Sequence, residues 1–417
     1  MATTLLPTVL MLLELFCMRE AHLTQNWPLQ GPEACEHHFL SFMQRYGRTY
    51  EQDSEEFSQR LYIFSRNMAE VDAHNDRPER QWTAAINEFA DRTETELAQL
   101  RGWRGGALPS SLRAQQQRPS RAGSTFLKQS AKATVLPRDF SNWTRLKSLQ
   151  SIRDQGGCGS CWAVAGITVL DAHWEIYSAA NKTRAFSVQE LVKCVRNPHH
   201  CGGTGGCAGA TVELAYDYAI NQGLATQEEL PYDPNSLHNG QCKNQPQGDA
   251  IFLSDAAEKG MSDSIDIAKP GVHVAQVSPA TAVGMRAWER LPENTYEPLM
   301  RAVYERGPVA ISVSASPWSW YSSGIFNSCP LDAVIDHAVS LIGFGEDGGK
   351  YWLVQNSWGP GWGEGGRIRI KRHDSDEEYC GMDRQPEVGT GCDGGPTEVK
   401  VCGMCGILYD TVVPHFK

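Results

Sequence analysis

The spacing of apolar and polar residues changes along this chain. Between residues 33 and 100 a helical spacing dominates, because one set of residues recurs at intervals of three and four and so falls along a single helix face. The set consists of Glu56, Arg60, Phe64, Asn67, Val71 and Asn75. Glu56 and Arg60 are four residues apart and can form an ion pair. The period predicts a helix, and an ordinary amphipathic helix would show it equally well.

A second helical stretch follows further along. Residues 161–180 are predicted to form a long central helix, and Ser187 is placed to cap a further helix that starts at Val188. After about residue 300 apolar residues alternate instead, which indicates strands. The predicted strands are 307–313, 341–345 and 351–355, the last two on either side of a Gly/Asp turn. The first half is therefore predicted to be helical and the second half rich in β-strands.

Three stretches of the chain show neither the helical spacing nor the alternation typical of strands. Leu5–Met18 is apolar but too short to span a bilayer, so we expect the core of a signal peptide, cleaved near Ala21. It lacks a basic start, which leaves a buried N-terminal helix as the alternative. Residues 101–134 have the Gly, Arg, Gln, Ser and Ala content of a linker, and exposed linkers are easily cut. Residues 243–298 contain acidic pieces rich in Ser and Ala with no clear period, which is typical of a surface stretch.

Composition and charge limit the classes of function. The net charge of −11 argues against a nucleic-acid partner, and a length of 417 residues suggests two or three folding units. There are thirteen cysteines, most of them after Asp154. Such cysteines indicate metal ligands in a cytosolic chain and disulfides in a secreted one, and the predicted signal peptide favours disulfides. No later run is apolar enough to cross a membrane, so we expect no membrane span.

The stretch from Gln155 to Trp162 carries the first candidate chemistry. Cys161 follows a Gly-rich turn and leads into an apolar segment that predicts a helix start. Exposed backbone N–H groups and the helix dipole at such a start favour a thiolate. Gln155 lies six residues earlier and can offer its side-chain amide to a developing oxyanion. A small structural Gly/Cys loop is the alternative for a lone Cys-x-x-Cys.

Two further motifs supply partners for a thiol. His337 precedes a predicted strand, and its neutral imidazole can take the thiol proton and later protonate a leaving amine. Asn356 follows another predicted strand, and its amide oxygen can hold the other ring nitrogen. Trp358 can cover that contact and exclude water. A single His beside a strand is more often a core histidine, so the three motifs matter only together.

These motifs resemble those of papain-like cysteine proteases. Cys158-Gly-Ser-Cys-Trp162 is similar to the papain/cathepsin signature, and Asn356-Ser-Trp-Gly-x-Gly-Trp-Gly-Glu364 is similar to the family's Asn motif. The helical set at 56–75, with Val71 where Ile is usual, resembles the inhibitory propeptide of cathepsin L-like proteases. Asn87-x-Phe-x-Asp91 resembles its next motif, with Ala85 in place of the usual leading Gly. Leu136–Phe140 resembles the start of a mature enzyme, which predicts processing between about 125 and 136.

The resemblance covers about residues 35–417 and implies an α+β fold. It implies a two-lobed papain-like architecture, with a helical left lobe and a β-barrel-like right lobe, preceded by a helical propeptide. The implied domains are a signal peptide at 1–21, a propeptide at 33–100, a linker with the maturation site at 101–134 and a peptidase domain at 135–417. Insertions are expected near 243–298 and 374–404.

The implied function is that of a secretory or lysosomal cysteine endopeptidase made as a zymogen. Peptide bonds would be hydrolysed through an acyl-enzyme, with Cys161 as nucleophile, His337 as acid and base, and Asn356 orienting the His. The Gln155 side chain and the Cys161 N–H would bind the oxyanion. Neither a cofactor nor a metal is implied. The expected partners are protein and peptide substrates, the chain's own propeptide as inhibitor, and cystatin-like inhibitors.

The resemblance also suggests where substrate binds. Gly209 and Ala210 would hold the substrate backbone, although the family usually has a second Gly where Ala210 stands. The pocket for the second residue before the cut would have Asp410 at its far end, able to pair with Arg or Lys or to turn into water. If Cys380 rather than Cys405 is the paired cysteine, the uncharged Gln385 takes that place instead. The remaining expected cleft residues are Thr211, Val212, Ser312, Ile335, Ala338 and Trp358.

Family analogy pairs some of the cysteines. It implies Cys158–Cys207, Cys194–Cys242 and, with Cys405 chosen, Cys329–Cys405. Cys201, Cys380, Cys392 and Cys402 are left over, an even number that can form two more bridges of unassigned connectivity. Zinc binding by Cys402-x-x-Cys405 is the alternative. Asn142 and Asn181 lie in glycosylation sequons.

Two other functions compete with the endopeptidase. Exopeptidases of the family block one end of the cleft with a loop, and His199-His200 is similar to the paired histidines of such a loop but lies at a different place in the chain. A non-catalytic binding homologue would normally lose Cys161 or His337, and both are present. The expected location is the lysosome, the vacuole or the outside of the cell.

Overall fold

The computed structural model describes residues 32–102, 135–178, 182–235, 242, 272–274 and 284–416. It divides the chain into two compact units, one made of Met1–Leu97 with Trp318–Gly324 and the other of Ala98–Pro317 with Ile325–Lys417. The predicted signal peptide at 1–21, most of the linker and most of the first insertion lie outside the described residues.

The first unit is mainly helical, as its spacing predicts. It contains α1 (Pro32–Tyr46), α2 (Glu55–Asn75), the strand β1 (Trp82–Ala84) and the start of α3 (Glu94–Leu100). Ser54 caps α2 by accepting a hydrogen bond from the Phe57 N–H at 3.0 Å. Phe64 is buried against Phe39, with ring centroids 5.4 Å apart.

The polar members of the predicted α2 face are structural as well. The Asn67 side chain is buried and donates to the Ala90 carbonyl at 2.9 Å. Asn75 bonds both the N–H and the carbonyl of Ala84. This face therefore anchors the chain that follows α2, which a plain amphipathic helix would not do.

The helical part of the second unit is built around α4 (Cys161–Tyr177). Nearly every residue of α4 is buried, as expected for a helix that is apolar all round. The helices α5 (Val188–Cys194) and α6 (Val212–Gln222) complete this part. Ser187 caps α5 by accepting from the Glu190 N–H at 3.1 Å, so both the central helix and the cap are confirmed.

A mainly antiparallel sheet forms the rest of the second unit, together with α7 (Tyr296–Glu305). Its strands are β2 (Val272–Val274), β3 (Ala287–Arg290), β4 (Val309–Val313), the end of β5 (Tyr321–Phe326), β6 (His337–Gly345), β7 (Tyr351–Gln355), β8 (Arg367–Lys371) and β11 (Asp410–His415). They lie in the order β5-β8-β7-β6-β4-β11-β3-β2, with β5 and β8 parallel. The ninth and tenth strands of the chain form a separate two-stranded sheet. The three predicted strands are confirmed as β4, β6 and β7, and the mixed α+β fold with them.

The two predicted insertions differ in outcome. Residues 285–298 are part of the folded core, since β3 pairs with β11, Trp288 is buried and α7 begins at Tyr296. The packed sheet therefore resumes before the expected boundary at residue 298, and a strand of four residues is too short for its alternation to show in the sequence. Within residues 374–404, the second predicted insertion, β9 (Cys380–Asp383) and β10 (Val399–Cys402) form an antiparallel hairpin.

Five disulfides occur among the described residues. Three are the pairs that family analogy implies: Cys158–Cys207, Cys194–Cys242 and Cys329–Cys405. The four remaining cysteines pair as Cys201–Cys392 and Cys380–Cys402. Because Cys402 and Cys405 are both in disulfides, the zinc alternative is wrong. Cys161 is outside the disulfides, as a nucleophile must be.

Candidate active site

Cys161 is the first residue of α4, at the end of a tightly packed turn. The Cys158–Cys207 disulfide holds this turn. A Cβ on Gly159 would lie 2.6 Å from the Cys207 carbonyl oxygen, so only glycine fits there. The sequence thus places the thiol at a helix N-terminus, where backbone N–H groups favour negative charge.

His337 and Asn356 meet because they lie at the same end of two paired strands. His337 starts β6 and Asn356 follows β7, and the two strands are antiparallel neighbours. The His337 Nε2 lies 2.8 Å from the Asn356 Oδ1, which also accepts the Ser357 N–H. The Trp358 ring lies 5.1 Å from the His337 ring and is 3% exposed. The bond to Asn356 assigns the ring proton to Nε2, so Nδ1 carries the lone pair.

Gln155 is oriented by a second set of bonds. Its Oε1 accepts from the Ser357 hydroxyl at 2.6 Å, which fixes the side-chain amide so that Nε2 faces the other way. That Nε2 donates to the Leu100 carbonyl at 2.6 Å and to the Cys158 carbonyl at 2.8 Å. Gln155 is fully buried. The amide is therefore already engaged with a backbone carbonyl near Cys161.

Residues 98–102, which we call the cleft segment, lie across these groups. The Arg101 carbonyl is 3.9 Å from the Cys161 Sγ, and a Cβ on Gly102 would lie 3.3 Å from the Gly209 Cα. The Arg101 Nε lies 2.7 Å from Oδ2 of Asp336, and both side chains are less than a tenth exposed. The cleft segment therefore covers the thiol with backbone and inserts a basic side chain beside His337.

Burial under the cleft segment keeps the candidate catalytic pair neutral. Burial raises the pKa of the Cys161 thiol to about 11. Burial lowers the pKa of His337 to about 4, which the bond to Asn356 opposes and the charge of Arg101 reinforces. Both shifts disfavour the charged forms, so this state holds a thiol and an imidazole rather than an ion pair.

The expected substrate residues are only partly brought together. One cavity is lined by Cys161 and His337 and by six of the expected residues: Gly209, Ala210, Thr211, Val212, Ser312 and Ala338. Ile335, Trp358 and Asp410 are not among the described residues that line it. Ile335 is fully buried and packs with Val401 and Tyr409 instead.

Asp410 lies behind the cavity wall and already has a cation. It accepts the Ser312 hydroxyl at 2.5 Å, and its Oδ1 is 2.8 Å from the Arg290 Nε. Arg290 belongs to β3 and also faces Glu213, whose pKa is raised to about 7 by burial and by the charge of Asp410. The sequence expectation left this partner out, because β3 lay inside the predicted insertion.

Other residues at the site were missed for different reasons. Asp336 directly precedes His337, but nothing in the sequence indicated a partner for its carboxylate, and Arg101 carried no sequence signal. Val388 and Gly389 line the cavity because the Cys201–Cys392 disulfide ties their loop to the segment around Gly202.

The paired histidines lie away from the cavity, and one of the two expected glycosylation sites falls outside the described residues. His200 Nδ1 lies 2.9 Å from Asp393 Oδ2, and neither His199 nor His200 is among the described residues that line the cavity. Asn142 is exposed, and Asn181 lies outside the described residues.

Comparisons with known proteins agree with this geometry. The sequence matches the papain family cysteine proteases over residues 136–390 and the cathepsin propeptide inhibitor domain over residues 39–97. It is 31% identical over 335 residues to vignain of Ricinus communis, covering 78% of each chain. It is 30% identical over 336 residues to a KDEL-tailed cysteine endopeptidase of Arabidopsis thaliana, again covering 78% of each.

The fold is similar to that of a digestive procathepsin L2 from the larval midgut of Tenebrio molitor. The TM-score is 0.64 at 23% identity, covering 91% of this chain and 99% of that one. Among the described residues, no helix is long and apolar enough to cross a membrane. The chain belongs to the papain family of cysteine proteases and carries a cathepsin-type propeptide inhibitor domain, as a protease zymogen does.

Proposed function

We propose that the chain is a cysteine endopeptidase of the secretory route, latent as a precursor, that acts through a Cys161 thiolate and a His337 imidazolium. The observation that carries the proposal is the hydrogen bond from Gln155 Nε2 to the Leu100 carbonyl, 2.6 Å long. It is a bond from a fixed amide to a backbone peptide carbonyl, beside a thiol at a helix N-terminus. A scissile carbonyl bound in the same way would be polarised for attack.

The chemistry then follows in two halves. Proton transfer from Cys161 to His337 Nδ1 gives the thiolate, which attacks the carbonyl carbon, while the Gln155 amide and the Cys161 N–H stabilise the oxyanion. His337 protonates the leaving amine, and the peptide bond breaks to leave a thioester. His337 next deprotonates a water that attacks the thioester, and the thiol is released with the acid product. Asn356 and Trp358 hold the ring throughout.

Two features favour an endopeptidase over an exopeptidase. The cleft segment lies within the chain and contains neither terminus, yet its backbone occupies the cleft beside Cys161. The similar Arabidopsis protein is described as an endopeptidase. A cleft that accommodates an internal segment suits internal cleavage of a substrate.

Maturation belongs to the same proposal. Cutting between about 125 and 136, in the lysosome, the vacuole or outside the cell, would remove the inhibitor domain and the cleft segment. Protein and peptide substrates would then enter, and cystatin-like inhibitors would compete with them. A signal peptide at 1–21 and glycans at Asn142 and Asn181 would fit that route.

The test uses the full chain after acid processing, with peptides blocked at both ends. Cys161→Ser lowers turnover at least about a thousandfold, since a hydroxyl is not pre-ionised by an imidazole. The control is the wild-type chain carried through the same acid processing. Circular dichroism checks that the variant is folded. Near wild-type turnover by Cys161→Ser would end the thiol mechanism, and cleavage of free-ended peptides alone would favour an exopeptidase.

A further inference from the structure

Asp336 has an arrangement that the catalytic reaction does not use. Its Oδ1 accepts the Ala315 N–H at 2.8 Å, and its Oδ2 faces the Arg101 Nε at 2.7 Å. The side chain is 9% exposed and lines the cavity shared by Cys161 and His337. One oxygen is therefore held by the peptidase domain and the other by the cleft segment.

The proposed maturation would remove the cation of this pair. Arg101 lies before the processing region at about 125–136, so maturation would remove it, while Asp336 stays. Removal of Arg101 leaves Asp336 at the cavity without the cation that pairs with it among the described residues, and the nearby Asp383 adds repulsion. The vacated position is therefore suited to a positive charge from another source.

We propose that Asp336 of the mature enzyme binds an arginine or lysine side chain of the substrate in the place of Arg101. The proposal rests on the proposed function and assigns its selectivity, namely peptides with a basic residue at one position close to the cut. In the precursor, Arg101 occupies the position that the preferred substrate side chain would take in the mature enzyme. Its guanidinium donates through a directed N–H, so arginine binds better than lysine.

Asp410 does not compete for this role. Its cation, Arg290, belongs to β3 of the same unit and remains after maturation. Its Oδ2 is occupied by the Ser312 hydroxyl. A substrate arginine would have to displace Arg290, whereas at Asp336 it enters a vacated position. The structure assigns basic selectivity to the aspartate beside His337.

The test compares arginine with citrulline, which has the same shape without the charge. End-blocked fluorogenic peptides carry one or the other at each position around the cut, and the ratio of their kcat/KM values is measured with mature enzyme. We expect the wild type to favour arginine about tenfold to a hundredfold at one position. In Asp336→Asn, which keeps the acceptor for the Ala315 N–H, the ratio falls to near 1. In the control Asp410→Asn the ratio stays as in the wild type.

The outcomes separate this proposal from the proposed function. Cleavage of citrulline peptides shows that the peptidase works, whatever the preference. Equal losses on both peptides in Asp336→Asn would show that Asp336 only supports His337, and would overturn the proposal. If Asp336→Asn does not fold, the wild type alone decides, because a ratio near 1 at every position overturns the proposal too. Loss of the arginine preference in Asp410→Asn instead would move the role to Asp410.

Discussion

Two buried aspartates, Asp336 in the cavity lining and Asp410 behind the cavity wall, have the same kind of partner but from different parts of the chain. Asp336 pairs with Arg101 of the cleft segment, and Asp410 pairs with Arg290 of β3. The distances are nearly equal, 2.7 and 2.8 Å. The two ion pairs differ in whether they survive the proposed maturation, because it would remove Arg101 and keep Arg290. Local geometry alone does not say whether a buried ion pair supports the fold or the regulation of the enzyme.

The largest expected effect comes from breaking the permanent pair. Arg290→Met leaves Asp410 buried without its cation and close to Glu213, which should lower the free energy of unfolding of the mature enzyme by about 2–4 kcal/mol. Urea unfolding followed by fluorescence measures it. The double variant Arg290→Met with Asp410→Asn should recover most of the loss, since the unpaired charge is then gone.

A surface pair provides the control for this comparison. Arg384 and Asp332 also form an ion pair, but their side chains are 59% and 51% exposed. Arg384→Met should leave the free energy of unfolding close to that of the wild type, because water screens an exposed pair. Equal stability of Arg290→Met and the wild type would mean that the Asp410 pair is not structural.

The temporary pair should control latency rather than stability. Arg101→Gln in the precursor weakens the hold on the cleft segment, so Cys161 is exposed more often and its raised pKa is relieved. We expect labelling by a thiol-directed activity probe at neutral pH to rise about tenfold to a hundredfold. Asp336→Asn should give a similar rise, and the double variant little more, because both changes remove one interaction. Additive effects of the two changes would argue against a direct pair.

A third, more exposed pair should give the smallest effect. Arg60 binds Glu96 at 2.6 and 2.8 Å, while Glu56, the partner expected from helix spacing, is 3.8 Å away and largely exposed. Burial tends to raise the pKa of Glu96, but the bonds from Arg60 and Thr93 outweigh it and lower the pKa to about 2. Since the folded pKa is below the unfolded one, the stabilisation is present above about pH 4.5 and is lost as pH falls toward 2.

The loss should be about 1–2 kcal/mol, because Glu96 is partly solvated. Hydrogen exchange of residues 55–97 in the full precursor, measured from pH 5 down to 2, reports the opening of this unit. In Glu96→Gln the pH dependence should flatten, whereas in the control Glu56→Gln it should not. A steep profile that persists in Glu96→Gln would assign the acid response to other groups.

The sequence by itself determined a large part of this protein. The motifs around Cys161, His337 and Asn356 are local, and their backbone requirements are written in neighbouring residues, as at Gly159. The helices α2 and α4 and the strands β4, β6 and β7 follow from spacing, because each buries one face or both faces over several residues. Family resemblance further gave three disulfides that the structure contains.

Only the tertiary structure decided which charges meet. Arg101 and Asp336 are 235 residues apart and Arg290 and Asp410 are 120 apart, so no helical or strand period connects them. The same holds for Cys201 and Cys392, whose bridge brings Val388 and Gly389 to the cavity. Even Arg60 prefers Glu96 to the neighbour four residues away. Partner choice depends on the path of the whole chain and on burial, because only a desolvated charge must find an opposite one.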